Sequence, residues 1–224
     1  MKRPIVRMTA LLAMVAAAGT VVAVAATSPK PLPVQTTTAT ASAMTFDFKD
    51  PKGVNAISFM LDSELEPIVG FASGLSGTIS YDPVNPESFQ GALELDAGKI
   101  NTSNPRMTSV LQGADWLDLS NHLMVRFVFS ETIAVERTRG NDARLWVKGM
   151  LSVRGIEVEK VVMIDATYVE GGAARRGGAK EGDLLVLRSN FSIDRTEFNL
   201  KPATPFATVA QDIELNVAIA GYSK

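Results

Sequence analysis

Apolar and polar side chains alternate along most of this chain, and the alternation has a period of two. Ile57, Phe59 and Leu61 share one face of the run from Asn55 to Leu61. Leu75, Ile79 and Tyr81 stand against Ser76, Thr78 and Ser80. From Phe89 to Asp96, Leu93 and Leu95 oppose Glu94 and Asp96; Val125, Phe127 and Phe129 oppose Arg126 and Ser130. Leu145, Val147, Leu151 and Val153 alternate with Lys148, Ser152 and Arg154. Val158, Val162, Ile164 and Tyr168 alternate with Glu159, Asp165 and Thr167. Leu185, Leu187, Phe191 and Ile193 oppose Arg188, Asn190 and Asp194. Ile213, Leu215, Val217 and Ile219 oppose Asp212, Glu214 and Asn216. Successive side chains of a strand point to opposite faces, so each run reads as a strand with one wet and one dry side, the mark of antiparallel sheet.

Turn chemistry separates these eight runs: Asp82-Pro83, Asn85-Pro86, Arg139-Gly140-Asn141-Asp142 and Arg154-Gly155. Helical crossovers are missing between most of them, which argues against a parallel α/β sheet. A barrel and a sandwich both suit the pattern. An eight-stranded barrel leaves no open edge and encloses room for one small ligand. One segment departs from the period: Asn104 to Leu119, with Met107, Val110, Leu111 and Trp116. Pro105 suits a first helical position, so a short helix is predicted over about 105–112, covering one end of the barrel. Asp62 to Val69 is expected to bend, because Pro67 cannot donate to a ladder.

Composition adds a targeting segment and a tether. Lys2, Arg3 and Arg7 precede Met8 to Ala26, which carries no charge, and Ala23-Val24-Ala25 fits a small-residue cleavage site. Residues 1–26 therefore read as a signal peptide, or as an N-terminal membrane anchor, since the apolar run is nearly long enough to span a bilayer. Export places the remainder in the periplasm or outside the cell. Pro29, Pro31 and Pro33, followed by Thr36, Thr37, Thr38 and Thr40 among alanines, make residues 27–45 a disordered linker, and leave 46–224 as the folded domain. Without Lys2, Arg3 and Arg7 the 22 basic residues fall to 19 against 24 acidic ones, a net charge of −5. Such a surface gives no pull toward nucleic acid or anionic headgroups. The absence of cysteine excludes disulfides, thiolate catalysis and a lipid-modified N-terminal Cys.

Candidate chemistry is sparse. His122 is the only histidine, and no phosphate-binding glycine loop, nucleophile elbow or paired-histidine metal pattern occurs. Gly70, Gly74 and Gly77 read as strand bends, and Asp115 and Asp118 as turn or capping residues. No catalytic or metal-binding residues are assigned; Asp115 with His122 is the one acid/base pair an enzyme reading could use. The stretch Gly171 to Gly182 reads as a solvated hairpin loop, with Arg175, Arg176 and Lys180 as an alternative basic lip. Phe59, Phe127, Phe129, Phe191 and Phe198 are either ordinary core or the wall of a cavity.

Several short segments, in order, resemble the YceI-like family of polyisoprenoid-binding proteins over roughly residues 53–220. They are Val69-Gly70-Phe71 with Leu75-Ser76-Gly77-Thr78-Ile79-Ser80-Tyr81-Asp82; Ile100-Asn101-Thr102 with Arg106; Ala114-Asp115-Trp116-Leu117-Asp118, where the family has Ser-x-Asp-Phe-(Phe/Leu)-Asp; Val147 to Gly155; and Ile193-Asp194-Arg195-Thr196-Glu197-Phe198. The departures fall near one expected mouth: Ser63-Glu64-Leu65-Glu66-Pro67 replaces a His-Leu-Gly, and Met107 follows Arg106.

The resemblance implies an extended, lipocalin-like, eight-stranded barrel with a central apolar tunnel for an isoprenoid lipid or quinone-like ligand, and no further cofactor. Phe59, Leu93, Leu95, Phe127, Phe129, Leu151, Ile164, Phe191 and Leu215 are the expected tunnel residues, with Arg106 and Arg195 as cations at its mouth or, alternatively, as structural donors to turn carbonyls. At about 0.8 kcal/mol per buried CH₂, each prenyl unit contributes roughly 3–4 kcal/mol before ordering costs. The rival expectation is a structural or stress-related envelope protein whose barrel is filled by its own side chains. Transient membrane contact and a dimer are compatible with either reading.

Overall fold

The computed structural model describes residues 43–176 and 181–224. The proposed signal segment, the linker up to residue 42, and Lys180 of the basic loop lie outside the described residues. Within them the chain forms eleven strands of one antiparallel sheet: β1 (Met44–Asp47), β2 (Ala56–Leu61), β3 (Ile68–Ala72), β4 (Leu75–Tyr81), β5 (Gln90–Asp96), β6 (Ile100–Thr102), β7 (Met124–Arg137), β8 (Ala143–Val153), β9 (Ile156–Val169), β10 (Leu184–Asp194) and β11 (Asp212–Ser223).

The sheet closes into an eight-stranded antiparallel barrel in the order β1-β4-β5-β7-β8-β9-β10-β11. Phe46↔Ser223 and Asp47↔Tyr222 join the last strand to the first. The eight alternating runs of the sequence correspond to β2, β4, β5 and β7–β11. The ring nevertheless recruits β1 and not β2, because β11 is long enough to serve two partners. Its C-terminal end pairs β1, and Glu214 to Ala218 pair β2. β2, β3 and β6 then form a wing that extends the barrel beyond the closed ring, with β6 at its edge. β1 starts at Met44, two residues inside the stretch assigned to the linker. The expected bend at Asp62 to Val69 covers a turn, but Ile68 and Val69 already belong to β3, since Pro67 lies just before the ladder begins.

Interruptions fall where the backbone demands glycine or a turn. Gly74, at φ +77°, breaks β3 from β4, and the Ala97–Lys99 turn, capped by Asp96 Oδ1 on Gly98 N at 2.9 Å, breaks β5 from β6. Arg154 and Gly155, both at positive φ (51° and 72°), make the two-residue hairpin between β8 and β9.

The ladder between β9 and β10 runs only from Leu184↔Val169 to Arg188↔Asp165. Beyond it, Ile156 to Ile164 stay paired with β8, and Ser189 to Asp194 with β11, so the two strands part. Ser189 Oγ donates to Met163 O at 2.6 Å where they separate, and Lys160 pairs with Glu197 further along. This splayed half of the barrel is covered by helix α1 (Pro105–Gln112), at the predicted place, and by the turns at 113–122 and 195–211. Asn104 Oδ1 caps α1 by accepting from Arg106 N (3.0 Å) and Met107 N (3.4 Å). A second helical turn, α2 (Gly172–Arg175), lies in the β9–β10 connection. No helix among the described residues is long and apolar enough to cross a membrane.

Candidate ligand-binding site

The barrel interior divides in two. In the closed ring the inward side chains meet one another: Phe46, Phe48, Ile79, Tyr81, Leu145, Val147 and Leu185 are completely buried, and Phe89 stacks edge-on against both Tyr81 and Phe129. In the splayed half they do not meet, and a cavity of about 190 Å³ remains. Its depth is closed by Phe129, Leu187 and Ile219. Its sides come from β2, β5, β7–β11, the start of β4, Ala72 of β3 and Ile100 of β6, and Leu111, Trp116, Leu117 and Leu200 reach it from the covering segments. Apart from Glu94, Ser189 and the indole of Trp116, the wall is hydrocarbon. Glu94 is held at the rim by Arg126 (Nε–Oε1 3.2 Å), both side chains remaining largely in solvent.

All nine residues expected along the tunnel, Phe59, Leu93, Leu95, Phe127, Phe129, Leu151, Ile164, Phe191 and Leu215, border this cavity. Phe198, the fifth aromatic of the set, does not. It is fully buried in the cluster beneath the covering segments. Gly70 does more than relieve a strand: a Cβ there would lie 2.2 Å from Phe59 Cζ, so its missing side chain is the seat of the Phe59 ring.

The two mouth cations need correction. Arg195 is 0% exposed and donates all five of its N–H groups to backbone carbonyls: Nε to Ala210, Nη1 to Leu200 and Lys201, Nη2 to Thr204 and Val209. Burial lowers its pKa, partly offset by the Asp194 carboxylate beside it. With no donor left for a headgroup, it is the staple of the 195–211 segment. Arg106 is exposed on the first turn of α1 and is not among the residues that border this cavity. The family resemblance marked both residues, but sequence carries no measure of how many carbonyls converge on a guanidinium.

The remaining candidates are structural. Arg176 pairs with Asp50 (3.0 Å) and lies over the Tyr222 ring, binding the β9–β10 loop to the closed ring and away from the cavity; Arg175 is exposed. His122 packs its ring against Gly155 and donates its backbone N–H to Asp118 O, and nothing links it to the exposed Asp115. No cluster of three His, Asp or Glu capable of holding a metal occurs among the described residues.

Sequence reasoning missed a second, smaller pocket of about 70 Å³ on the other side of Leu61, Leu111 and Trp116, which border both spaces. Glu66, Lys201, Met107, Val110, Ile68 and Val209 complete it. The available signal was Trp116 itself, a tryptophan where the resembling motif has phenylalanine.

The YceI-like domain family matches residues 36–220. The chain belongs to the YceI-like family. Among curated relatives, a UPF0312 protein of Pectobacterium atrosepticum is 24% identical over 154 residues, spanning 69% of this chain and 73% of the relative. A UPF0312 protein of Vibrio cholerae is 27% identical over 135 residues, spanning 59% and 68%. Solved structures place the barrel in the same fold. A polyisoprenoid-binding domain from Saccharophagus degradans, implicated in plant cell wall breakdown, superposes with a TM-score of 0.58 at 9% identity, covering 82% of this chain and 100% of that domain. Burkholderia cenocepacia BcnA gives 0.58 at 18%, covering 74% and 95%. In this YceI-like chain the fold is thus shared while most side chains are not, so the cavity wall must be read from its own residues.

Proposed function

We propose that this protein binds a long apolar, isoprenoid-type chain in the splayed half of its barrel and carries or stores it, without chemistry, after export to the periplasm. The observation that carries the reading is the apolar cavity of about 190 Å³ lined by inward residues of the barrel. A hydrocarbon-lined space inside a core forgoes packing contacts unless something fills it. Apolar cavities of about 150 Å³ take up benzene, so by proportion this one accommodates roughly eight carbon atoms. Their transfer from water is worth about 6 kcal/mol before ordering costs. Affinity then depends on how much of the chain is covered, with little polar readout of the tail. Support also comes from the Saccharophagus domain, described as polyisoprenoid-binding. The scarcity of acid/base pairs in the wall favours binding over catalysis.

The test is native mass spectrometry of freshly purified protein, followed by organic extraction. A co-purifying apolar lipid whose removal restores the bare polypeptide mass is the expected result. A bare mass throughout, with no uptake of added prenyl lipid, would leave the side-chain-filled envelope protein as the better reading. Fractionation of cells producing the full chain tests export; retention in the cytoplasm would refute that part.

A further inference from the structure

We propose that the two pockets form one ligand site, with the apolar chain in the large cavity and an uncharged oxygen acceptor at its end, a carbonyl or hydroxyl, taking the hydrogen bond of Trp116 Nε1. The inference rests on the lipid-chain reading and adds the head to it. Trp116 is 4% exposed, and its Nε1–H is buried with no acceptor. Buried donors are almost always partnered, because leaving one unmade costs free energy. The ring borders both an all but hydrocarbon space and the smaller one, whose mostly apolar lining includes Glu66 and Lys201. Leu61, Leu111 and Trp116 border both spaces, so the proposed occupancy requires a rotamer change among these side chains. This boundary is the natural position for the junction between a greasy tail and a polar end.

The small pocket also says which head fits. Lys201 contributes a cation that makes no side-chain hydrogen bond or ion pair among the described residues. Its backbone is fixed from both sides: its N–H donates to Asp115 O at 2.8 Å, and its carbonyl accepts from Arg195 Nη1 at 2.5 Å. Glu66 lines the same pocket, so the two formal charges cancel. A pyrophosphate would meet one cation and one carboxylate in about 70 Å³, while a neutral oxygen meets a donor and no repulsion.

The experiment compares three probes of equal carbon skeleton on the full chain: farnesene, farnesol and farnesyl pyrophosphate. Farnesol is expected to bind about three- to tenfold tighter than farnesene, the worth of one neutral hydrogen bond, and tighter than the pyrophosphate. In Trp116→Phe the ratio of farnesol to farnesene affinity should fall to about one, whatever the variant does to the two affinities together. Independently of any variant, the ¹⁵N-indole spectrum contains two tryptophans, Trp116 and Trp146. Only the Trp116 Nε1–H resonance should move downfield, with farnesol and not with farnesene. Equal affinities in the wild type, an advantage that survives Trp116→Phe, an unmoved Trp116 resonance, or preference for the pyrophosphate overturns the proposal. Failure of all three probes, the hydrocarbon included, overturns the lipid-chain reading together with it.

Discussion

Replacing Arg195 by methionine tests the account of how the cavity keeps its cover. The guanidinium joins five carbonyls spread from Leu200 to Ala210, and Phe206 lies over it at 5.3 Å. Hydrogen bonds to charged groups are worth about 1.5–3 kcal/mol each. Five taken independently would rival the whole stability of a domain, about 5–15 kcal/mol, so they cannot be additive. On truncation the 195–211 segment loosens and water reaches the carbonyls. That limits the cost to about 3–5 kcal/mol, as for other broken buried charge networks. In a domain of this size each kcal/mol shifts Tm by about 2–4 °C, so Arg195→Met should lower Tm by about 6–20 °C. Arg195→Lys should recover only part, since an ammonium offers three donors and no planar fork. Thermal unfolding gives the magnitude. Hydrogen exchange locates it, with the amides that open first lying in 195–211 and β1, β4 and β5 remaining protected. A Tm within about 3 °C of wild type and unchanged exchange in 195–211 would refute the staple. Weakened prenyl binding should accompany the opening, because Leu200 borders the cavity.

Further expectations follow from individual positions. Leu215→Trp should fill the cavity and cut farnesol affinity by about tenfold or more with Tm nearly unchanged, as read by titration calorimetry and melting. Gly70→Val should clash with Phe59, costing about 1–3 kcal/mol in denaturant unfolding, and push that ring into the cavity. The Asp50 carboxyl is subject to burial, which raises its pKa. The N–H groups of Lys52, Val54 and Asn55 and the charge of Arg176 outweigh it and hold the value below 3.8. A depressed folded value means the contribution is present above the unfolded pKa, near 3.8, and is lost as pH falls through the folded one. Wild type should therefore lose more Tm than Asp50→Asn between pH 5 and about 2.5. Parallel curves would deny Asp50 that role.

Much of this architecture was legible in the order of residues. Period two needs only a sheet with one dry face, and that is a local property, so β7 to β11 and the inward set from Phe59 to Leu215 could be read directly. The N-cap and Pro105 likewise marked α1, because capping is settled within one turn. What escaped was everything decided by where distant segments meet. β1, four residues long, became a barrel stave only because β11 outruns β2. Arg195 looked like a mouth cation until the turns that follow it folded back and brought five of their carbonyls onto its guanidinium. The closed ring fills itself with Phe46, Tyr81 and Phe89, whereas the half beyond Arg188↔Asp165 stays hollow. Alternation says which way a side chain points. Whether it then touches another side chain or borders a space depends on the separation of strands that part, and that distance exists only once the sheet has closed.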